Sequence, residues 1–202
     1  MENNKIYVVL TRTKTILSRL IGFIKQDEYT HASISLDGGL KQMYSFGRKH
    51  TYNPFIGSFV EESFNEGVFG RQKKLYGLVM EINVTAEQYN RAEALVNEFT
   101  ANKNLYRYNY IGLINSLLNR ESCNNYRFVC SEFVYYILNE SNIVNFNISR
   151  NLVTPQDLLK IKGRITFKGN LKCFGNFKKE SNESDFLQGY QYDSMSCSVE
   201  CR

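Results

Sequence analysis

A chain of 202 residues with 25 Lys and Arg against 20 Asp and Glu, a net charge of +5, is long enough to bury one ordinary core without covalent staples. Its basic residues are spread along the whole sequence, and no signature of a nucleic-acid module is present, which argues against a nucleic-acid partner. No segment approaches the ~20 apolar residues of a membrane span, and the N-terminus lacks the basic start and apolar run of a secretory signal, so a cytoplasmic location is expected.

The five cysteines, Cys123, Cys130, Cys173, Cys197 and Cys201, are odd in number and form no C-x-x-C pair. Reduced thiols are therefore expected in place of a disulfide framework or a zinc site, and no cofactor is implied. Cys197 and Cys201 fall in a polar stretch from Lys178 onward that reads as a loosely held tail, which divides the chain into a domain over 1–177 and a tail over 178–202.

Lys5 to Leu10 is β-branched and apolar, a buried first strand. Ile16, Leu17, Leu20, Ile21 and Ile24 then mark one face of a helix with Thr13 as its N-cap. His31 to Leu36 alternates polar and apolar, Asp37-Gly38-Gly39 is a strong turn, and Lys41 to Phe46 is extended again, so a β-hairpin is predicted. Residues 47–74, rich in Gly, Asn, Ser and charge and containing Pro54, read as a long loop of the kind that edges a cleft. Leu75 to Ile82 is a strand. Thr85-Ala86-Glu87-Gln88 is a capping box, opening a helix through Tyr89, Ala92, Leu95, Val96 and Phe99.

The cluster Tyr106, Tyr108 and Tyr110 leads into a further helix through Ile111, Leu113, Ile114, Leu117 and Leu118, and a polar connector over 119–127 follows. Thr154-Pro155-Gln156-Asp157 gives an N-cap with proline at the first helical position. Arg164 to Lys168 and Leu171 to Phe177 read as two strands joined at Gly169-Asn170.

Between these elements lies Phe128-Val129-Cys130-Ser131-Glu132-Phe133-Val134. Extended character before Cys130 and helical spacing after it place the thiol at a helix N-terminus. There the orphan N–H groups and the macrodipole favour a thiolate. A nucleophile needs a base, and only His31 and His50 are on offer. His31 opens a hairpin strand, whereas His50 sits in the basic stretch Arg48-Lys49-His50-Thr51 and reads as a solvated loop residue.

His31-Ala32-Ser33-Ile34-Ser35-Leu36-Asp37, the partner Met43-Tyr44-Ser45-Phe46-Gly47, then Val129-Cys130-Ser131-Glu132-Phe133-Val134 and Thr154-Pro155 resemble the circularly permuted NlpC-like branch of the papain superfamily. The YiiX-like proteins are the nearest in pattern. In that branch the histidine strand precedes the cysteine helix, as His31 precedes Cys130 here. The resemblance covers roughly residues 5–170. It implies an α+β fold with a papain-like core, an antiparallel sheet or partial barrel packed against helices, and a Cys130 and His31 pair. In the family a third residue, usually a carboxylate, amide or second histidine, follows on the next strand. Here that strand offers Ser45, with Tyr44 and Gln42 as alternatives, and no acid.

The chemistry expected of such a set is acyl transfer by a cysteine hydrolase acting on a peptide or amide. The Cys130 and Ser131 N–H groups would face the oxyanion, and Tyr44, Tyr108, Tyr110 and Ser131 would border the substrate. Two other readings stand beside it. One is an acyltransferase or thioesterase of the lecithin-retinol-acyltransferase-like type, acting on an acyl thioester and favoured by a groove of Phe55, Phe59, Phe64 and Phe69. The other is an inactive binding domain on the same fold, favoured by the missing acid.

Overall fold

The computed structural model describes residues 4–12, 27–50 and 53–175, with only the backbone described at 48–50 and 53–56. The helix expected over Thr13 to Ile24, the side chains of His50 and Phe55, and the tail with Cys197 and Cys201 lie outside the described residues.

The fold is α+β. Its main sheet has six strands: β1 (Asn4–Thr11), β2 (His31–Ser35), β3 (Met43–His50), β4 (Asn53–Glu62), β5 (Tyr76–Val84) and β8 (Arg164–Asn170), in the order β4-β3-β2-β1-β5-β8. Every pairing in it is antiparallel. β6 (Arg107–Tyr108) and β7 (Arg127–Phe128) form a separate parallel pair. Among the described residues, four α-helices accompany the strands: α1 (Gly67–Gly70), α2 (Ala86–Ala101), α3 (Tyr110–Leu117) and α4 (Cys130–Glu140).

Both faces of the sheet are covered, which is why β1 reads as a nearly unbroken apolar run. Ile6, Val8 and Leu10 join Ala32, Ile34, Phe46, Leu78, Met80 and Ile82 in one core with the buried faces of α2 and α4. Val9, Met43 and Val79 point the other way, into a second cluster with Phe64, Phe69, Leu75, Leu171 and Phe174. α2 starts where its capping box predicts: Gln88 N–H donates to Thr85 Oγ1 at 3.2 Å and Thr85 N–H to Gln88 Oε1 at 3.0 Å. A similar exchange joins Thr154 and Asp157, the Thr154 N–H reaching Asp157 Oδ2 at 2.9 Å, ahead of a 3-10 turn over Asp157–Lys160.

Three expectations need correction. Residues 47–74 are not a loop: most of their first half completes β3 and forms β4, with Met43 opposite Glu62 and Phe46 opposite Phe59. Pro54 is tolerated because β4 is the edge strand, where a missing N–H costs no ladder bond. Gly57 is needed because a Cβ there would lie 2.7 Å from Cβ of Tyr108. The two strands expected after Arg164 are one, β8, followed by a 3-10 turn over Leu171–Cys173 that Asn170 caps by accepting from Lys172 N–H at 3.3 Å. Finally, Cys173 is disulfide-bonded, with its partner outside the described residues, while Cys123 and Cys130 are free thiols.

Phe46 is the hub that locks helices to sheet. Its ring centroid lies 5.9 Å from Phe59, 6.1 Å from Phe99, 5.3 Å from Phe128 and 5.4 Å from Phe133, joining β3, β4, α2, β7 and α4. Edge-on and tilted ring pairs at such distances add to burial itself. Phe46→Ala is expected to cost about 3–5 kcal/mol, read as a lower urea midpoint with an unchanged slope.

Candidate active site

β7 is only two residues long, and it sets up the thiol. Pairing Tyr108 with Phe128 across β6 and β7 fixes the chain just before Val129, whose extended backbone (φ −95, ψ 168) turns directly into α4. Cys130 is therefore the first residue of the helix, 6% exposed. The first intrahelical bond runs from Phe133 N–H to Val129 O at 3.0 Å, so the N–H groups of Cys130 and Ser131 precede the ladder.

Cys130 lies close enough to His31 to favour the charged imidazole. Its Nε2 lies 3.0 Å from both carboxylate oxygens of Glu62, an ion pair whose side chains are 13% and 14% exposed. Ser33 Oγ donates to the same carboxylate at 2.6 Å and steadies it. Phe69 from α1 stands edge-on to the imidazole with centroids 5.8 Å apart. Gly47 lies under this arrangement: a Cβ there would sit 3.5 Å from Glu62 Oε1 and 3.8 Å from His31 Cε1. Burial acts to lower the His31 pKa, but the charges and hydrogen bonds of Glu62 and Cys130 outweigh it and hold the imidazole well above its ordinary value.

Glu132 is the second polar group at this helix end. Fully buried, it accepts from Val129 N–H at 3.2 Å, capping the helix start from the third helical position. Arg150 Nε balances its charge at 3.1 Å, with the guanidinium carbon 4.8 Å from the Phe128 ring centroid and 5.4 Å from that of Tyr136. Asn109, the N-cap of α3, donates to Glu132 at 3.4 Å while accepting from Gly112 N–H at 2.8 Å. Burial raises the Glu132 pKa, opposed by the Val129 N–H, Arg150 and Asn109.

Of the residues singled out in the sequence, Cys130 and His31 meet. Ser45 comes close, its Oγ 3.4 Å from His31 Nε2, but its better bond is to Ala32 O at 2.7 Å, so it supports the strand more than the ring. Gln42 is turned away, donating to Glu61 at 2.6 Å. Tyr44 points from the opposite face of β3 and stacks on Phe59, centroids 6.1 Å apart. Ser131 commits its hydroxyl to Val153 O at 2.6 Å and leaves only its N–H to the site.

Tyr108 is in the site, buried and close enough to feel the sulfur. Burial, then the Cys130, Tyr110 and Glu132 charges, push its phenol well above the usual range, so it stays an O–H donor. Tyr110 packs on it with centroids 4.8 Å apart, whereas Tyr106 stacks on Phe99 at 4.2 Å as part of the core.

Glu62, Ser33, Glu132 and Arg150 had not been assigned roles. Glu62 was hidden because its strand read as a loop. The alternation of Ser58, Val60 and Glu62 against Phe59 is the signal that could have revealed it. Among the described residues, no group of three or more His, Cys, Asp or Glu side chains is placed to hold a metal ion. The chain matches no protein-family model, no curated protein and no solved structure.

Two measurements probe this arrangement. The unfolded His31 titrates near about 6.5, and the folded value is higher. Its contribution to stability is thus full below the unfolded value and is lost as pH rises through the folded one. Urea midpoints are expected to fall across that window in the native protein and to fall less in Glu62→Gln. Arg150→Met strands a buried charge and is expected to cost about 3–5 kcal/mol, part of which returns in the double variant with Glu132→Gln.

Proposed function

We propose that this protein is a cysteine hydrolase of the peptidase or amidase type. The carrying observation is that a helix-terminal Cys130 lies close enough to His31 to favour its charged form, while His31 Nε2 is held 3.0 Å from the half-buried carboxylate of Glu62. That is the nucleophile, base and orienting group that thiol acyl transfer requires. The chain order, histidine strand before cysteine helix, and an antiparallel sheet backed by helices support a permuted papain-like core of the NlpC-like kind.

In this reading the Cys130 thiolate attacks an amide carbonyl carbon, and the resulting oxyanion faces the N–H groups of Cys130 and Ser131, with Tyr108 as a further donor. Imidazolium at His31 gives its proton to the leaving nitrogen as the C–N bond breaks, leaving a thioester and a neutral ring. The ring then takes a proton from water, whose oxygen attacks the thioester carbon. The C–S bond breaks, and the acid leaves with the thiolate and imidazolium restored. Glu62 keeps the ring oriented and favours its charged form throughout.

Hydrolysis is preferred over the acyltransferase reading because Phe59, Phe64 and Phe69 are core residues and do not line a groove. The case for an inactive domain rests on a missing acid, and Glu62, on β4 one strand beyond the expected place, offers the ring a carboxylate.

Iodoacetamide labelling near about pH 6 is expected to modify the buried Cys130 about ten-fold faster than the exposed Cys123. His31→Ala should abolish that advantage. It should also lower turnover of a fluorogenic peptide library about 10²- to 10⁴-fold. Equal labelling of the two thiols, unchanged by His31→Ala, would refute an activated nucleophile.

A further inference from the structure

α3 has an outer face that solvent alone does not explain. The helix holds no charged residue and turns Gly112, Leu113 and Ser116 inward. Yet Ile111, Ile114 and, at the C-cap, Leu118 are 68%, 57% and 58% exposed. Spaced by three and four residues, they form one stripe along the helix. Leu105 and Tyr126, also exposed, lie by the adjoining β6 and β7 pair. Isolated apolar side chains on a surface are ordinary, but a continuous aliphatic helix face calls for an occupant.

The surroundings indicate which occupant. Lys103, Arg107, Arg120 and Arg127 are all exposed, and among the described residues none is in an ion pair with a carboxylate. Arg107 and Arg127 are register partners across the parallel pair β6 and β7, which gathers positive charge at this edge. Arg120 lies at the far end of the stripe, its N–H bonded to Asn115 O at 2.8 Å. From residue 103 to 127 the sole acid is Glu121.

We propose that this surface docks on an anionic lipid bilayer. Ile111, Ile114 and Leu118 enter the boundary between headgroups and acyl chains, and the four cations engage lipid phosphates and carboxylates. A protein partner would have to supply a shaped groove together with matched acids, whereas an anionic bilayer offers both properties by its composition. The attachment is peripheral, since no helix among the described residues is long and apolar enough to cross a membrane. The docking face adjoins the thiol: α3 begins at Asn109, which is bonded to Glu132 of α4, and Tyr108 precedes it beside Cys130. Binding itself does not depend on the hydrolase reading.

Co-sedimentation of the full chain carrying Cys130→Ser, with vesicles of phosphatidylcholine alone or mixed with phosphatidylserine, tests the proposal without any turnover. Binding to the mixed vesicles is expected to be about ten-fold stronger or more, and to weaken as salt rises. Ile114→Glu combined with Leu118→Glu should lower it at least about ten-fold, and Arg120→Gln or Arg127→Gln about five-fold each. All these positions are exposed, so circular dichroism and melting should be unchanged. Equal binding to both vesicles, or binding untouched by the substitutions, would overturn the proposal. So would a self-association that Ile114→Glu and Leu118→Glu abolish in a protein that ignores vesicles, since the face would then belong to a second copy.

Discussion

The carboxylate of Glu62 on the imidazole of His31 is the interaction on which the rest of the site hangs. It joins the edge strand β4 to β2 past the intervening β3, where Gly47 lies beside both side chains. An ion pair this sheltered is costly to assemble unless its remaining lone pairs are satisfied, and Ser33 takes part of that role. The result is a ring whose Nε2 is committed to the carboxylate.

The opposite half of the site is held by packing and by a balanced charge. Phe133, one turn into α4, lies 5.4 Å from Phe46 and 5.0 Å from Phe99, so the helix that carries Cys130 is pinned to both sheet and α2. An acid at the start of this helix would by itself oppose a thiolate nearby. Arg150, pressed between Phe128 and Tyr136, offsets it, so Glu132 can cap the backbone at little electrostatic cost to the sulfur.

Much of this was legible from residues alone because it is local. The cap at Thr85, the Asp37-Gly38-Gly39 turn and the helical spacing after Cys130 each rest on a few neighbouring positions, and each lies where it was expected, whereas the cap expected at Thr154 gives way to a turn and a 3-10 helix whose N-cap is Gln156. What was missed depends on partners far along the chain. Gly57 and Pro54 read as strand breakers, yet one makes room for Tyr108 and the other sits on a free edge. With β4 unseen, its register was unseen too, and Glu62 had no route to His31. The side chains of Tyr44 and Ser131 turn elsewhere for the same reason: their direction is decided by packing that no local pattern records.

The distribution of the parts along the chain has a consequence for biogenesis. His31 and Glu62 come from the first hairpins, Tyr108 and Asn109 from the middle, Cys130 from a later helix and Arg150 from the turn after it. None of these groups can act on another until the long-range sheet and helix contacts have closed. Under the proposed chemistry, Cys130 therefore meets its base only in the finished molecule.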